Sequence, residues 1–248
     1  MGQLLFKNNE LFRRKVEELD PTIREHVGFS VIEEILLDAE SSRLNTPCIA
    51  HPVVFAIQMG ITSMLASWGI TPEAVLGHSG GEVAAAHAAG VLSLEDSARL
   101  LAAHGQVMRQ VQGRGKMLFV SLPSLDVDGL ISEHKLALSI ATVNGPRSTV
   151  VSGAADIDTL VLLLEKQGVF CRILNSDVAF HSPQVEPALE EFREFLQGVT
   201  PKPQTILIYS SLNGKAASPD DFNAAYWVRH IRQPVLFASA ISAMLDDG

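Results

Sequence analysis

Apolar residues recur at helical spacing through the first third of the chain and at strand spacing in its middle. Three opening stretches read as helices: "NELFRRKVEEL" (9–19), "SVIEEILLDA" (30–39) and "HPVVFAIQMGITSMLASWG" (51–69). In the third, Val53, Val54, Ile57, Ile61, Met64, Leu65 and Trp68 follow a three-and-four repeat that predicts one buried face. "TPEAVLGHS" supplies a very short apolar run, a buried strand, before the alanine-rich helix "GEVAAAHAAG" (81–90). "SLED" (93–96) carries the Ser-x-x-Asp helix-start signature, so a further helix is expected over 94–112, with Ala98, Leu101, His104, Val107, Met108 and Val111 on one face.

From residue 117 the period shortens. "MLFVSL" reads as a strand and "DVDGLISEH" as a short helix. Two strands follow in "LALSIATVNGPRSTVVSG", joined at the turn signal Asn144-Gly145-Pro146. "AADIDTLVLLLEKQG" is again helical and "VFCRIL" extended. The order β-α-β-β-α-β is that of a ferredoxin-like unit. The expected architecture is therefore a ferredoxin-like subdomain at 117–176 inserted into an α/β body of residues 1–116 and 177–248. That body resumes with a helix at 182–198, a strand at "TILIYSS" (205–211) and a closing helical stretch at about 222–246.

Composition narrows the class. Hydrophobic residues make up 47% and charged residues 19%, which suits a packed globular protein. The formal charge of −9 argues against nucleic acid as a partner. Two cysteines, Cys48 and Cys171, have no metal-ligand spacing and form no disulfide framework, which points to a reducing, cytoplasmic setting. The N-terminus has no signal-peptide core, and nowhere do eighteen apolar residues run together, so no membrane association is expected.

Chemistry enters at "AVLGHSGGEVAAAH" (74–87). Gly77-x-Ser79-x-Gly81 on a strand-to-helix turn is the nucleophile-elbow pattern, which lifts a serine out on a strained backbone and aims amide N–H groups at a developing oxyanion. A glycine-rich turn with an incidental serine shares that pattern. A serine nucleophile needs a base, and the chain has eight histidines. His87 lies two turns past Ser79 on the following helix, a place for packing. His181, in "DVAFHSPQ" where a helix begins, has the loop position of a catalytic base, although a lone loop histidine is also commonly structural.

Taken together, "GHSGGEVAAAHAAGVLSLEDSARL", "VAFHSPQVEPALEEF", "YWVRHIRQPVLF" (226–237) and the "NGP" turn (144–146) resemble the acyltransferase domains of polyketide synthases and the malonyl-CoA:acyl-carrier-protein transacylases of fatty acid synthesis. The resemblance runs in order over nearly the whole chain. It implies an α/β-hydrolase-like body with a parallel sheet and an inserted ferredoxin-like subdomain. It makes Ser79 the acyl-accepting nucleophile, His181 its general base and the Gly80 N–H an oxyanion donor. The base is oriented by the main chain at His230 rather than by a carboxylate. His104, Val178, Phe180 and Asn144 are implied as substrate-binding. No cofactor is held: acyl-CoA is the donor, and the phosphopantetheine thiol of an acyl carrier protein is the acceptor. Neighbouring synthase domains are the further partners.

The chain departs from the family pattern in three ways. His104 stands where malonyl and methylmalonyl enzymes carry an arginine that pairs with the free carboxylate of the acyl unit. Losing that pair costs about 2–5 kcal/mol, so a non-carboxylated starter or intermediate acyl group is expected. Val178-Ala179-Phe180-His181 sides with the malonyl type at Phe180, which favours a straight chain over an α-branch. Gly80 replaces a larger residue and is expected to leave room beside Ser79. The chain also starts downstream of the family's "GQG" turn and stops before its "F-x-E-x-G-P" strand, so it reads as trimmed at both ends and short of one oxyanion donor. Open alternatives are a malonyl transacylase with altered carboxylate binding, an editing hydrolase of carrier-bound thioesters, and a non-catalytic docking domain of a megasynthase.

Overall fold

A computed structural model describes residues 2–248, which form two units, each traced by several stretches of chain. The first comprises residues 2–106, Glu194–Ile208 and Ser218–Asn223; the second comprises Val107–Arg193, Tyr209–Ala217 and Ala224–Gly248.

The first unit opens with α1 (Gln3–Asn8), which the hydrophobic pattern does not announce, and α2 (Glu10–Val27). Asn9 caps α2 by accepting from the Phe12 N–H at 2.9 Å. Phe12, Val16, Leu19 and Ile23, spaced four, three and four apart, are buried. After α3 (Val31–Leu36) comes the long helix α4 (Pro47–Ser67). By length and a mean hydropathy of 1.6, α4 could cross a membrane; here it packs against α2, with Phe12 lying on Gly60. Its buried residues are Pro52, Val53, Phe55, Ala56, Ile57, Met59, Gly60 and Met64, whereas Ile61 and Trp68, assigned to the buried face from spacing, are exposed. A helix apolar all round has no unique face, so periodicity alone cannot choose the side that meets α2.

The strand β1 (Ala74–Leu76) leads through a 3₁₀ turn at Ser79–Gly81 into α5 (Glu82–Ala88), and α6 (Leu94–Val111) follows. The helix start expected at "SLED" is present: Ser93 Oγ accepts from the Asp96 N–H at 3.0 Å and donates to its carboxylate at 2.7 Å. All six residues assigned to the inner face of α6 are buried.

The second unit is built on β2 (Lys116–Val120), α7 (Ser124–Glu133), β3 (Leu138–Gly145), β4 (Ser148–Gly153), α8 (Asp156–Lys166) and β5 (Cys171–Ile173). The four strands form one antiparallel sheet in the order β3-β4-β2-β5, with Leu118 opposite Val151 and Val151 opposite Ile140. Strand alternation separates two faces. Leu118, Val120 and Val151 join Val127 and Ile131 of α7 and Ile157, Leu160 and Leu164 of α8 in one core. Met117, Ala141 and Val150 form a second cluster, against which Phe119, Leu174 and Phe180 pack.

One expectation needs correction, and two further features fill in the last third of the chain. The helix expected over 182–198 is a 3₁₀ segment, Pro183–Ala188, followed by a short α9 (Leu189–Phe195), because Pro187 has no N–H to continue an α-helical ladder. After β6 (Leu207–Ser210) comes β7 (Lys215–Ala216), and Tyr209 and Ser210 pair with it antiparallel. So short a connection between β6 and β7 permits only a hairpin. The closing helical stretch is two helices, α10 (Ala224–Arg232) and α11 (Phe237–Asp246). Between them Pro234 stops the first, and Val235 bonds to the edge of β3, donating to Ala141 O at 2.9 Å and accepting from the Val143 N–H at 2.8 Å.

Candidate active site

Ser79 has φ +49°, a left-handed backbone angle that side chains other than glycine rarely adopt. Its neighbours enforce it. A Cβ on Gly77 would lie 2.2 Å from the Glu82 Cα and 2.3 Å from its nitrogen, so only glycine lets the strand pass so close to the start of α5. The Gly81 N–H is taken by the His78 carbonyl at 3.0 Å. The amide immediately after the serine, that of Gly80, stands in the first turn of a helical run, where N–H groups point outward to an anion.

Ser79 opens on a cavity of about 310 Å³ lined by His51, Val54, Gln58, His78 and the elbow glycines. The room expected beside Gly80 is not empty. The imidazole of His51, early in α4, lies across that glycine: a Cβ there would sit 2.9 Å from both Cε1 and Nδ1 of the ring. His51 Nδ1 is shielded from solvent and has no hydrogen-bond partner. Burial lowers its pKa from 6.5 to about 4, so the ring is neutral at physiological pH. His104 of α6 is buried, its ring edge-on to that of His51 with centroids 6.4 Å apart. His87 packs, as its helix position suggests: its Nδ1 is 3.1 Å from Leu92 O, its ring lies near Phe55, and burial lowers its pKa.

His181 belongs to the second unit and also has a positive φ, +56°. Its segment is tied down on both sides. Ser152 of β4 donates to Phe180 O, the His181 N–H donates to Ile231 O at 3.2 Å, and Ser182 Oγ donates to Ala179 O at 2.6 Å. The His181 side chain is buried, and its Nδ1 lies 3.1 Å from His230 O and 2.9 Å from Gln233 O. Two carbonyl oxygens can only accept, so Nδ1 must carry the proton and Nε2 is the basic nitrogen.

The sequence explains why those carbonyls are available. In a continuing helix the His230 carbonyl would accept from the N–H of residue 234, but residue 234 is proline. The Gln233 carbonyl was not anticipated. Its signal is the same proline, which follows Gln233 and ends the helix at Arg232. The side chain of His230 packs between Tyr226 and Trp227, at centroid distances of 6.0 and 5.3 Å, so the residue offers its main chain to the base.

The remaining substrate-binding candidates also lie in the second unit. Val178 is buried. Phe180 packs on Met117, Ala141 and Val150 with its ring 6.4 Å from that of His181. Asn144, at the end of β3, lines a separate groove of about 960 Å³ formed with α11.

Comparison with known proteins bears on this arrangement. The family model of the acyl transferase domain matches residues 1–248. The polyketide synthase GfsE of Streptomyces halstedii is 35% identical over 254 residues, covering 100% of this chain and 7% of that protein. The erythronolide synthase EryA2 of Saccharopolyspora erythraea is 33% identical over 251 residues, again covering 100% of this chain and 7% of that protein. The chain thus spans under a tenth of the length of these two curated relatives. Among solved structures, a loading acyltransferase from the avermectin modular polyketide synthase superposes with a TM-score of 0.94 at 33% identity, covering all of this chain and 80% of that one.

Proposed function

The chain belongs to the acyl transferase domain family, and from that premise we propose that it carries an acyl group from acyl-CoA to the phosphopantetheine thiol of an acyl carrier protein through an ester on Ser79. The observation that carries this reading is the proton state imposed on His181: with Nδ1 committed to two carbonyls, Nε2 can take a proton. In the first half-reaction Nε2 takes the Ser79 Oγ proton as Oγ attacks the thioester carbonyl, and the Gly80 N–H receives the oxyanion. Collapse of the tetrahedral adduct breaks the C–S bond, and the imidazolium returns its proton to the departing CoA thiolate. The second half-reaction runs the same steps in reverse, with the carrier's thiol attacking the acyl-Ser79 ester. The body is α/β-hydrolase-like, and residues 117–176 are a ferredoxin-like subdomain, a reading supported by the sheet order β3-β4-β2-β5. The domain works in the cytoplasm as one part of a synthase, with Val178, Phe180 and Asn144 among the groups that meet the substrate.

His104 decides the acyl class. It lies buried beside His51 in the unit that holds Ser79, where an arginine would fork a carboxylate. The acyl group is therefore a non-carboxylated starter, a reading supported by the likeness to a loading acyltransferase. Intact-protein mass spectrometry with a panel of acyl-CoAs tests it. Acetyl- or propionyl-type groups should load wild type and leave Ser79→Ala and His181→Gln unlabelled, and adding carrier protein should move the label to its thiol. Release as free acid, indifferent to the carrier, would make the domain a hydrolase. His104→Arg should raise malonyl loading roughly 30-fold or more; a wild type that already prefers malonyl-CoA would refute the reading of His104.

A further inference from the structure

Resting on the reading of His181 as the base that serves Ser79, we infer that Ser152 of β4 is a positioning residue for this reaction. Its hydroxyl fixes the peptide from which the His181 imidazole is aimed. Ser152 is fully buried, and its Oγ donates to the Phe180 carbonyl. The surroundings of this serine are apolar. Strand alternation puts it on the side of Val150, and in register it stands opposite Met117, two members of the cluster on which Phe180 packs. An apolar side chain would fill such a place, and a buried hydroxyl there needs a partner. The partner is the carbonyl joined to the His181 nitrogen.

The N–H of the same peptide is held as well, donating to Ile231 O at 3.2 Å. Bonds to both polar groups set the plane of the Phe180–His181 peptide, and the φ of His181 is measured from that plane. That φ, +56°, is one that a residue with a side chain keeps only under constraint. The chain just before the peptide is seated on glycine. A Cβ at Gly115, ahead of β2, would lie 2.6 Å from the Ala179 Cβ and 2.7 Å from the Gly153 carbonyl oxygen. Ala179 therefore runs directly against the end of the sheet that carries Ser152. On the ring side, Nδ1 meets the carbonyls of His230 and Gln233. The direction of Nε2 thus depends on the peptide plane as well as on the ring's own hydrogen bonds. Without the Ser152 hydroxyl the peptide is free to turn and φ to relax, which swings Nε2 off line and leaves the imidazole itself intact. A misplacement of about 1 Å can cost roughly 100-fold in rate.

The test compares Ser152→Ala with a matched control, Thr149→Ala. Thr149 is another fully buried hydroxyl of β4 that donates to a carbonyl, that of Leu122 at 2.9 Å, outside the base segment. Both variants should lose similar stability in urea unfolding. In transfer from propionyl-CoA to free pantetheine, Ser152→Ala should lower kcat about tenfold with KM little changed, and Thr149→Ala should stay within about twofold of wild type. Ser152→Thr keeps the hydroxyl and should recover most of the rate; if Thr does not fold, the two Ala variants decide. A second readout needs no substrate. In protein carrying isotope-labelled histidine, the Nδ1 proton signal of His181 is identified by its absence from His181→Gln. Ser152→Ala should shift or broaden that signal, and Thr149→Ala should leave it in place. Wild-type kcat in Ser152→Ala, or equal slowing by both Ala variants, overturns the assignment. A wild type that propionyl-CoA never labels at Ser79 counts against the acyl-serine reading instead, and the His181 signal still decides whether Ser152 holds the ring.

Discussion

Acidification tests the buried state of His51, and the structure sets the size of the effect. The ring has its pKa lowered from 6.5 to about 4 by burial. Above pH 6.5 the ring is neutral in both the folded and unfolded chains and contributes no pH dependence. As the pH falls below 6.5, the unfolded chain binds a proton that the folded protein refuses until about pH 4, so stability is lost as the pH falls through that window. Each pH unit there corresponds to about 1.4 kcal/mol, and a step from pH 7.5 to pH 5 removes about 2 kcal/mol. For a chain of this size that lowers Tm by roughly 4–8 °C. The assay is thermal unfolding, followed by circular dichroism, of wild type and His51→Gln between pH 7.5 and pH 5. Other titrating groups, His87 among them, are common to both proteins and cancel. The variant should lose roughly 4–8 °C less than wild type over the same step. Parallel Tm curves would refute the neutral buried state of His51.

Gly77→Ala places a Cβ against the Glu82 backbone, which cannot give way as a side chain can, so loss of soluble protein or a destabilisation of roughly 4 kcal/mol or more is expected in urea unfolding. Pro234→Ala restores an N–H that competes for the His230 carbonyl; weakening one of the two bonds that hold His181, worth about 1 kcal/mol, should slow Ser79 acylation roughly fivefold in kcat with KM little changed. Arg43→Ala removes the partner of the buried Glu34 carboxylate and should lower the urea midpoint, while Glu34→Gln, which removes the charge as well, should lower it clearly less in the same unfolding assay.

What could be read from the chain alone follows a physical division between local and non-local causes. The cap at Ser93, the inner face of α6 and the strands of the four-stranded sheet are decided by residues within a few positions of one another, and they stand where the pattern places them. The buried strip of α4 is decided by its neighbour α2, and an all-round apolar helix holds no record of that choice. The elbow is local, so Ser79 was legible. His51 is not, because the link between positions 51 and 80 is a contact between a helix and a turn that the order of residues does not encode.

Among the described residues three non-glycines take a positive φ, Ser79, Lys135 and His181, and the first and last of them share one logic. Ser79 and His181 each sit at positive φ without being glycine, and each is fixed by its neighbours. At Ser79 the constraint is steric, from the close passage of Gly77 against Glu82. At His181 it is hydrogen bonding, through the Ile231 carbonyl on its N–H and Ser152 on the carbonyl just before it. The partner of the His181 imidazole comes from a helix that Pro234 prevents from closing its own ladder, and Val235 fastens that broken end to β3. A carboxylate in the same place would orient the ring and also add a negative charge. The two carbonyls choose the tautomer and add dipoles only. Orientation of the base therefore depends on main-chain geometry at residues 230–235, and a substitution that reshapes that break should act on the rate as strongly as one at the histidine's own neighbours.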